Sequence, residues 1–150
     1  MARTIFFDLD GTIADLYGVE NWLPKLRAYD PSPYAEAGVM HNMSLLARYL
    51  NKLQKMGYRI GIISWLSKRS NAEYDKAVTE VKYEWLHNHL SSVTFDYIHI
   101  TCYGFPKERF ITSVTDILFD DNAEIRQAWT GTAYEPDKIL SVLKELIDRG

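Results

Sequence analysis

The chain has 150 residues, 47% of them hydrophobic, the size and make-up of one domain with a continuous core of its own. A formal net charge of -3, with both signs interspersed, excludes the broad basic field that grips an extended nucleic-acid duplex. The one cysteine, Cys102, excludes an internal disulfide and fits a reducing compartment, with the cytoplasm as the expected setting.

Thr4-Ile5-Phe6-Phe7 is a short apolar run that stops at Asp8, as a buried strand does at the edge of a sheet. The apolar stretch before Asp8 is far too short for a signal-peptide core, and no run approaches the roughly 20 apolar residues that cross a bilayer. Residues 15–40 follow, with Gly18, Pro24, Pro31, Pro33 and Gly38 among Trp22, Tyr29 and Tyr34. That mixture predicts an insertion of weak or short helices, a flap rather than a separate domain, so 1–150 is expected to be a single domain. The aromatic residues are expected to fasten the insertion to the sheet.

From Leu45, the residues Leu46, Tyr49, Leu50, Leu53 and Met56 recur at helical spacing, with Asn42 or Ser44 as the cap and Gly57 as the stop. Tyr58 to Ser64, with Ile60, Ile62 and Ile63 around Gly61, predicts a second buried strand ending in a hydroxyl. Ser70 or Asn71 opens a long helix carrying Val78, Val81 and Trp85 on one face to about Leu90. Asp96 to Thr101 predicts a third strand, and Asp116-Ile117-Leu118-Phe119 a fourth that stops at Asp120-Asp121. A short helix near Ile125 to Trp129, a brief strand near Ala133 and an amphipathic helix from Ile139 to Ile147 complete the chain.

Alternation of buried strands with helices predicts a three-layer α/β/α, Rossmann-like parallel sheet, which binds ligands outside the carboxyl ends of its strands. The polar groups at or just after those ends are Asp8 with Asp10, Ser64, Lys107, and Asp120 with Asp121. Clustered carboxylates repel: two unit charges ~4 Å apart cost about 4 kcal/mol at an effective dielectric of 20. They call for a divalent cation, and with oxygen ligands only that cation is expected to be Mg2+.

Asp8-Leu9-Asp10-Gly11-Thr12 resembles the DxDGT signature of the haloacid dehalogenase (HAD) superfamily, in its phosphatase branch. Ser64, Lys107 and Asp120-Asp121 resemble the superfamily's second, third and fourth motifs, in that order, and the resemblance covers nearly the whole chain. It implies a HAD-like fold in which the 15–40 insertion serves as a minimal cap. It further implies a Mg2+-dependent phosphatase in which Asp8 is the nucleophile and metal ligand, and Asp10 the proton donor and acceptor, with a metal-ligating backbone carbonyl. By the same resemblance Gly11 and Thr12 shape a phosphate-facing turn, and Ser64 binds phosphate with the backbone N–H groups of Trp65 and Leu66. Lys107 offsets the charge of nucleophile and phosphate, Asp120 completes the metal shell, and Asp121 holds a water ligand, the metal or Lys107.

Each reading has an ordinary rival. Strand-terminal aspartates also cap helices, Lys68 or Lys82 stand as alternatives to Lys107, and Ser67 is close to Ser64. Trp65 either shapes the pocket or packs in the core. His41, His87, His89 and His99 lack metal-ligand spacing, and Cys102 reads as a buried or inert thiol. The expected partner is a small phosphorylated molecule. Asp8 to Asp15 and Lys82-Tyr83-Glu84-Trp85-Leu86 resemble 5'-nucleotidases acting on deoxyribonucleotides, which implies a nucleoside monophosphate. A polynucleotide 3'-phosphatase, with Lys25, Arg27, Lys68 and Arg69 contacting strand phosphates, and a non-catalytic binding module are the alternatives.

Overall fold

The computed structural model describes residues 3–150. Its centre is a five-stranded, wholly parallel sheet built from β1 (Thr4–Phe7), β4 (Arg59–Trp65), β5 (Tyr97–Thr101), β6 (Ile117–Phe119) and β7 (Thr132–Tyr134). The order is β5-β4-β1-β6-β7, so β1 is central and its carboxyl end lies between those of β4 and β6. This arrangement is an α/β, Rossmann-like sheet with flanking helices, as the alternation of elements predicts.

Side chains alternate across the sheet and sort the core into two faces. Ile5, Phe7, Ile60, Ile62, Ile117 and Phe119 face α3 (Met43–Lys55), α4 (Ala72–His89) and α6 (Ile139–Arg149), against Leu46, Leu50, Leu53, Trp85, Leu86, Ile139 and Leu143. Phe6, Ile63 and Leu118 face the other way, toward Trp129 and the partly buried Phe110 and Ile125. That second face is covered by the short α5 (Ala123–Ala128) and a 3-10 turn over Lys107–Phe110. Gly61 is required by this packing: a Cβ there would lie 2.6 Å from the ring of Phe6.

The helices start where short amides can cap them. Asn42, Asn71 and Asn122 accept backbone N–H bonds from Leu45, Tyr74, and Glu124 with Ile125, at 2.8 to 3.3 Å. Residues 15–40 leave and rejoin the sheet domain through a two-stranded antiparallel ladder of β2 (Ala14–Asp15) and β3 (Gly38–Val39). Between them lie a 3-10 turn (Leu16–Gly18), α1 (Trp22–Arg27) and α2 (Ser32–Glu36). No helix among the described residues is long and apolar enough to cross a membrane.

Candidate active site

Register places the chemistry at one rim. Phe7 pairs with Ile62 and Phe119, so the residues that follow β1 and β6 emerge side by side while β4 runs on to Trp65 beside them. Asp8, two residues' span from Asp10, opens the turn beyond β1, and Asp120 is the first residue past β6. Asp8 Oδ1 accepts a hydrogen bond from Lys107 Nζ at 3.0 Å, and Asp8 Oδ2 accepts one from the Thr12 hydroxyl at 2.9 Å. The same ammonium donates to Asp120 Oδ2 at 2.7 Å, while Asp120 Oδ1 accepts from the backbone N–H of Asn122 at 2.9 Å. Lys107 and Asp120 are almost wholly buried.

Asp8, Asp120 and Asp121 each offer a carboxylate oxygen within 4.8 Å of the others. Their charges are met by one ammonium, and the imbalance shows in their acidities. Burial and then the charge of Asp8 push Asp121 up to about 8, and the same two causes push Asp120 up to about 6 against the pull of Lys107. Burial alone would lower Lys107, but Asp8 and Asp120 reverse that and hold it above its ordinary value. Three hard oxygen donors with surplus negative charge are a donor set that fits Mg2+. Gly11, at φ 80, is what lets the cluster close, because a Cβ there would stand 2.2 Å from Asp121 Oδ2.

A second buried ammonium serves the other aspartate. Lys82, from the middle of α4, donates to Asp10 Oδ2 at 3.0 Å, Ser64 Oγ at 2.7 Å and the Trp65 carbonyl at 2.8 Å. The Asp10 carboxyl is raised above its ordinary acidity by burial, lowered by Lys82 and raised again by Asp8, with a net upward shift.

Above this floor opens a cleft of about 670 Å3 that Asp8, Asp10, Lys107, Asp120 and Asp121 share with an aromatic rim. Tyr17, Trp22 and Tyr29 come from the insertion and Trp65 and Tyr103 from the opposite side, with Arg27, Lys68 and Arg69 also in the wall. Tyr17, Tyr29 and Tyr103 are about half exposed at its mouth. The Trp65 ring lies over Lys107, 5.5 Å from its Nζ, and its indole N–H is tied to the Phe105 carbonyl at 2.8 Å.

The chain matches no protein-family model and no curated protein. Its architecture does match solved structures. D,D-heptose 1,7-bisphosphate phosphatase from Burkholderia thailandensis superposes with TM-score 0.61 at 14% identity, over 97% of this chain and 98% of that one. The same enzyme from B. bronchiseptica, complexed with magnesium and phosphate, gives 0.61 at 11% identity over 99% of both chains. A candidate HAD-like phosphatase from Mesorhizobium loti gives 0.61 at 15% identity, over 99% of this chain and 87% of that one. The chain has the HAD-like fold.

Within that HAD-like fold, Asp8, Asp10, Lys107, Asp120 and Asp121 come together, and Trp65 lines the same cleft. Four expected phosphate donors are arranged differently. The N–H of Gly11 is spent on the Ala14 carbonyl, that of Thr12 on Leu9, and that of Leu66 on Thr101. The Thr12 side chain, fully buried, braces the turn through Asp8. Ser64 is also fully buried, with its oxygen turned to Lys82. Among the insertion aromatics, Tyr34 packs on α4 with Tyr74 and Val78 rather than on the sheet, while Trp22 and Tyr29 line the cleft. Cys102 is exposed.

Lysine 82 is the residue that motif order misses. Its signal was present as a lysine inside the buried stripe Tyr74, Val78, Lys82, Trp85 and Leu86 of α4. A cation in an apolar stripe requires a buried partner.

Proposed function

We propose that this protein is a Mg2+-dependent phosphomonoester hydrolase that works through an aspartyl-phosphate on Asp8. The observation that carries the reading is the Asp8 carboxylate, held between Lys107 and Thr12 on the floor of an open cleft, with a separate carboxylic group, Asp10, beside it. The likeness to phosphatases of the HAD-like fold supports it.

In the first step a carboxylate oxygen of Asp8 forms a bond to phosphorus, the phosphorus–oxygen ester bond breaks, and Asp10 gives its proton to the departing oxygen. In the second step water yields a proton to Asp10 and its oxygen bonds to phosphorus, releasing inorganic phosphate and the free Asp8 carboxylate. The sum is ester plus water giving alcohol plus phosphate. Lys107 uses two of its three N–H donors on Asp8 and Asp120, and the third is available to a phosphoryl oxygen. Bound through Asp8, Asp120, Asp121 and the Asp10 carbonyl, Mg2+ would neutralise phosphate charge and orient it for in-line attack.

The substrate reading is a nucleoside monophosphate, because the cleft joins a polar floor to a rim of exposed aromatic rings on which a base can stack. Residues 15–40 act as the minimal cap that supplies half of that rim. A second reading, a polynucleotide 3'-phosphatase, draws on Arg27, Lys68 and Arg69 in the wall; Lys25 does not line it. Two of the neighbours are named as sugar-bisphosphate phosphatases, so sugar phosphates belong in the same comparison. The exposed, free Cys102 suits a reducing cytoplasm.

A screen of nucleotides, sugar phosphates and 3'-phosphorylated oligonucleotides with and without Mg2+ tests all of this. The expected outcome is Mg2+-dependent phosphate release that is greatest with nucleoside monophosphates. Release equal in chelator and in Mg2+ would overturn the metal role.

A further inference from the structure

We propose that Lys82 is a positioning residue that locks the proton-transferring Asp10 and the end of β4 into a single arrangement; this rests on the hydrolase reading above. Its side chain is 1% exposed, and all three of its N–H donors are taken: by Asp10 Oδ2, Ser64 Oγ and the Trp65 carbonyl, at 2.7 to 3.0 Å. A saturated ammonium has no donor left for substrate. That separates it from Lys107, which has one.

Three consequences follow from the geometry. Asp10, whose side chain is 14% exposed, is held by one oxygen, which leaves its other oxygen to face the cleft. Ser64 accepts from Lys82, so its own O–H is directed away from Lys82. The Trp65 carbonyl is fixed at the point where β4 gives way to the cleft wall. The lysine comes from α4, against which the insertion's anchor Tyr34 packs with its ring 5.0 Å from Lys82 Nζ. One ammonium therefore ties together the turn after β1, the end of β4 and the cap.

The test uses leaving-group dependence, which a merely structural lysine would not alter. For a phosphatase, kcat/KM reports events through transfer of phosphate to Asp8, and p-nitrophenolate leaves with little help from an acid whereas an alkoxide needs its proton. Lys82→Met is expected to lower kcat/KM for an alkyl phosphate at least ten-fold more than for p-nitrophenyl phosphate, with Lys82→Arg recovering part of the difference. An equal loss on both substrates, in protein with an unchanged circular dichroism spectrum, overturns the proposal. Should Lys82→Met fail to fold, Asp10→Asn/Lys82→Met is compared with Asp10→Asn, where no charge is stranded. Equal kcat/KM for the alkyl phosphate in those two supports action through Asp10, and a further ten-fold fall overturns it. Inactivity of the unaltered protein on every phosphate ester, with Mg2+ present, would instead defeat the hydrolase reading itself.

Discussion

Two buried ammonium groups divide the acidic groups of the cleft, Lys107 serving Asp8 and Asp120, and Lys82 serving Asp10. Lys107 was legible because it follows the third strand in motif order; Lys82 was legible only as its rival, because the motif pattern has no place for a second lysine. Position along a strand also separates the aspartates of the cleft from structural ones. Asp116 stands before β6, on the rim away from the cleft, and its carboxylate accepts from Thr4 N, Thr112 N, Thr112 Oγ and Ser113 N at 2.7 to 3.1 Å. Asp116→Ala should cost about 3 kcal/mol by orphaning buried donors, while activity per folded molecule is kept. Urea titration beside an assay on the folded fraction checks this, and a variant that loses activity without losing stability contradicts the assignment. Asp8→Asn should show the reverse pattern: an amide is a poor nucleophile, so turnover falls on the order of 10^4-fold or more, with the fold intact. Full turnover in Asp8→Asn would rule out the aspartyl-phosphate.

At the scale of elements, the strands and long helices were legible to within a residue or two because burial imposes a period: β4 and α4 lie where the isoleucines and the Val78, Val81 and Trp85 stripe place them. The insertion was legible only as short and irregular. Its fixing points are side-chain bonds to distant backbone, Tyr74 Oη to the Asp30 carbonyl at 2.9 Å and Trp85 Nε1 to the Ala37 carbonyl at 2.8 Å, and no local pattern encodes them. They distinguish its two helices. α2 buries Pro33 and Tyr34 against α4, whereas α1 buries no residue and is bounded by Asn21 and Tyr29, both at positive φ. Segments with little buried apolar surface open at the lowest free-energy cost. Amide exchange in α1 should therefore be at least about 100-fold faster than in α2, since that ratio needs only roughly 2.7 kcal/mol of difference in opening free energy. Matched protection of the two helices would show that the insertion moves as one body.

For the whole molecule, strand order concentrates negative charge at one point of an otherwise mildly acidic surface, and this has a consequence for stability. Asp121 and Asp120 have folded pKa values of about 8 and about 6, and Asp10 is also raised. An unfolded aspartate titrates near ~3.9, so between roughly pH 4 and 8 the folded metal-free state holds more protons than the unfolded one. Its stability must then fall as pH rises through that window. Lys107, with its raised pKa, gives the same sign in a higher range, adding stability that is complete below the unfolded lysine value and lost only in strong alkali. A divalent cation replaces the missing protons, and at low pH it must first displace them. Mg2+ at 100 times its Kd stabilises by about 2.7 kcal/mol, or roughly 8 °C in Tm for a domain of this size. The expected thermal shift at a fixed Mg2+ concentration is therefore several degrees near pH 8 and clearly smaller near pH 5.5, and Asp121→Asn should raise the metal-free Tm at pH 8 while shrinking the response to Mg2+. A Mg2+ shift of the same size at both pH values would mean that the ion is not bound by these carboxylates.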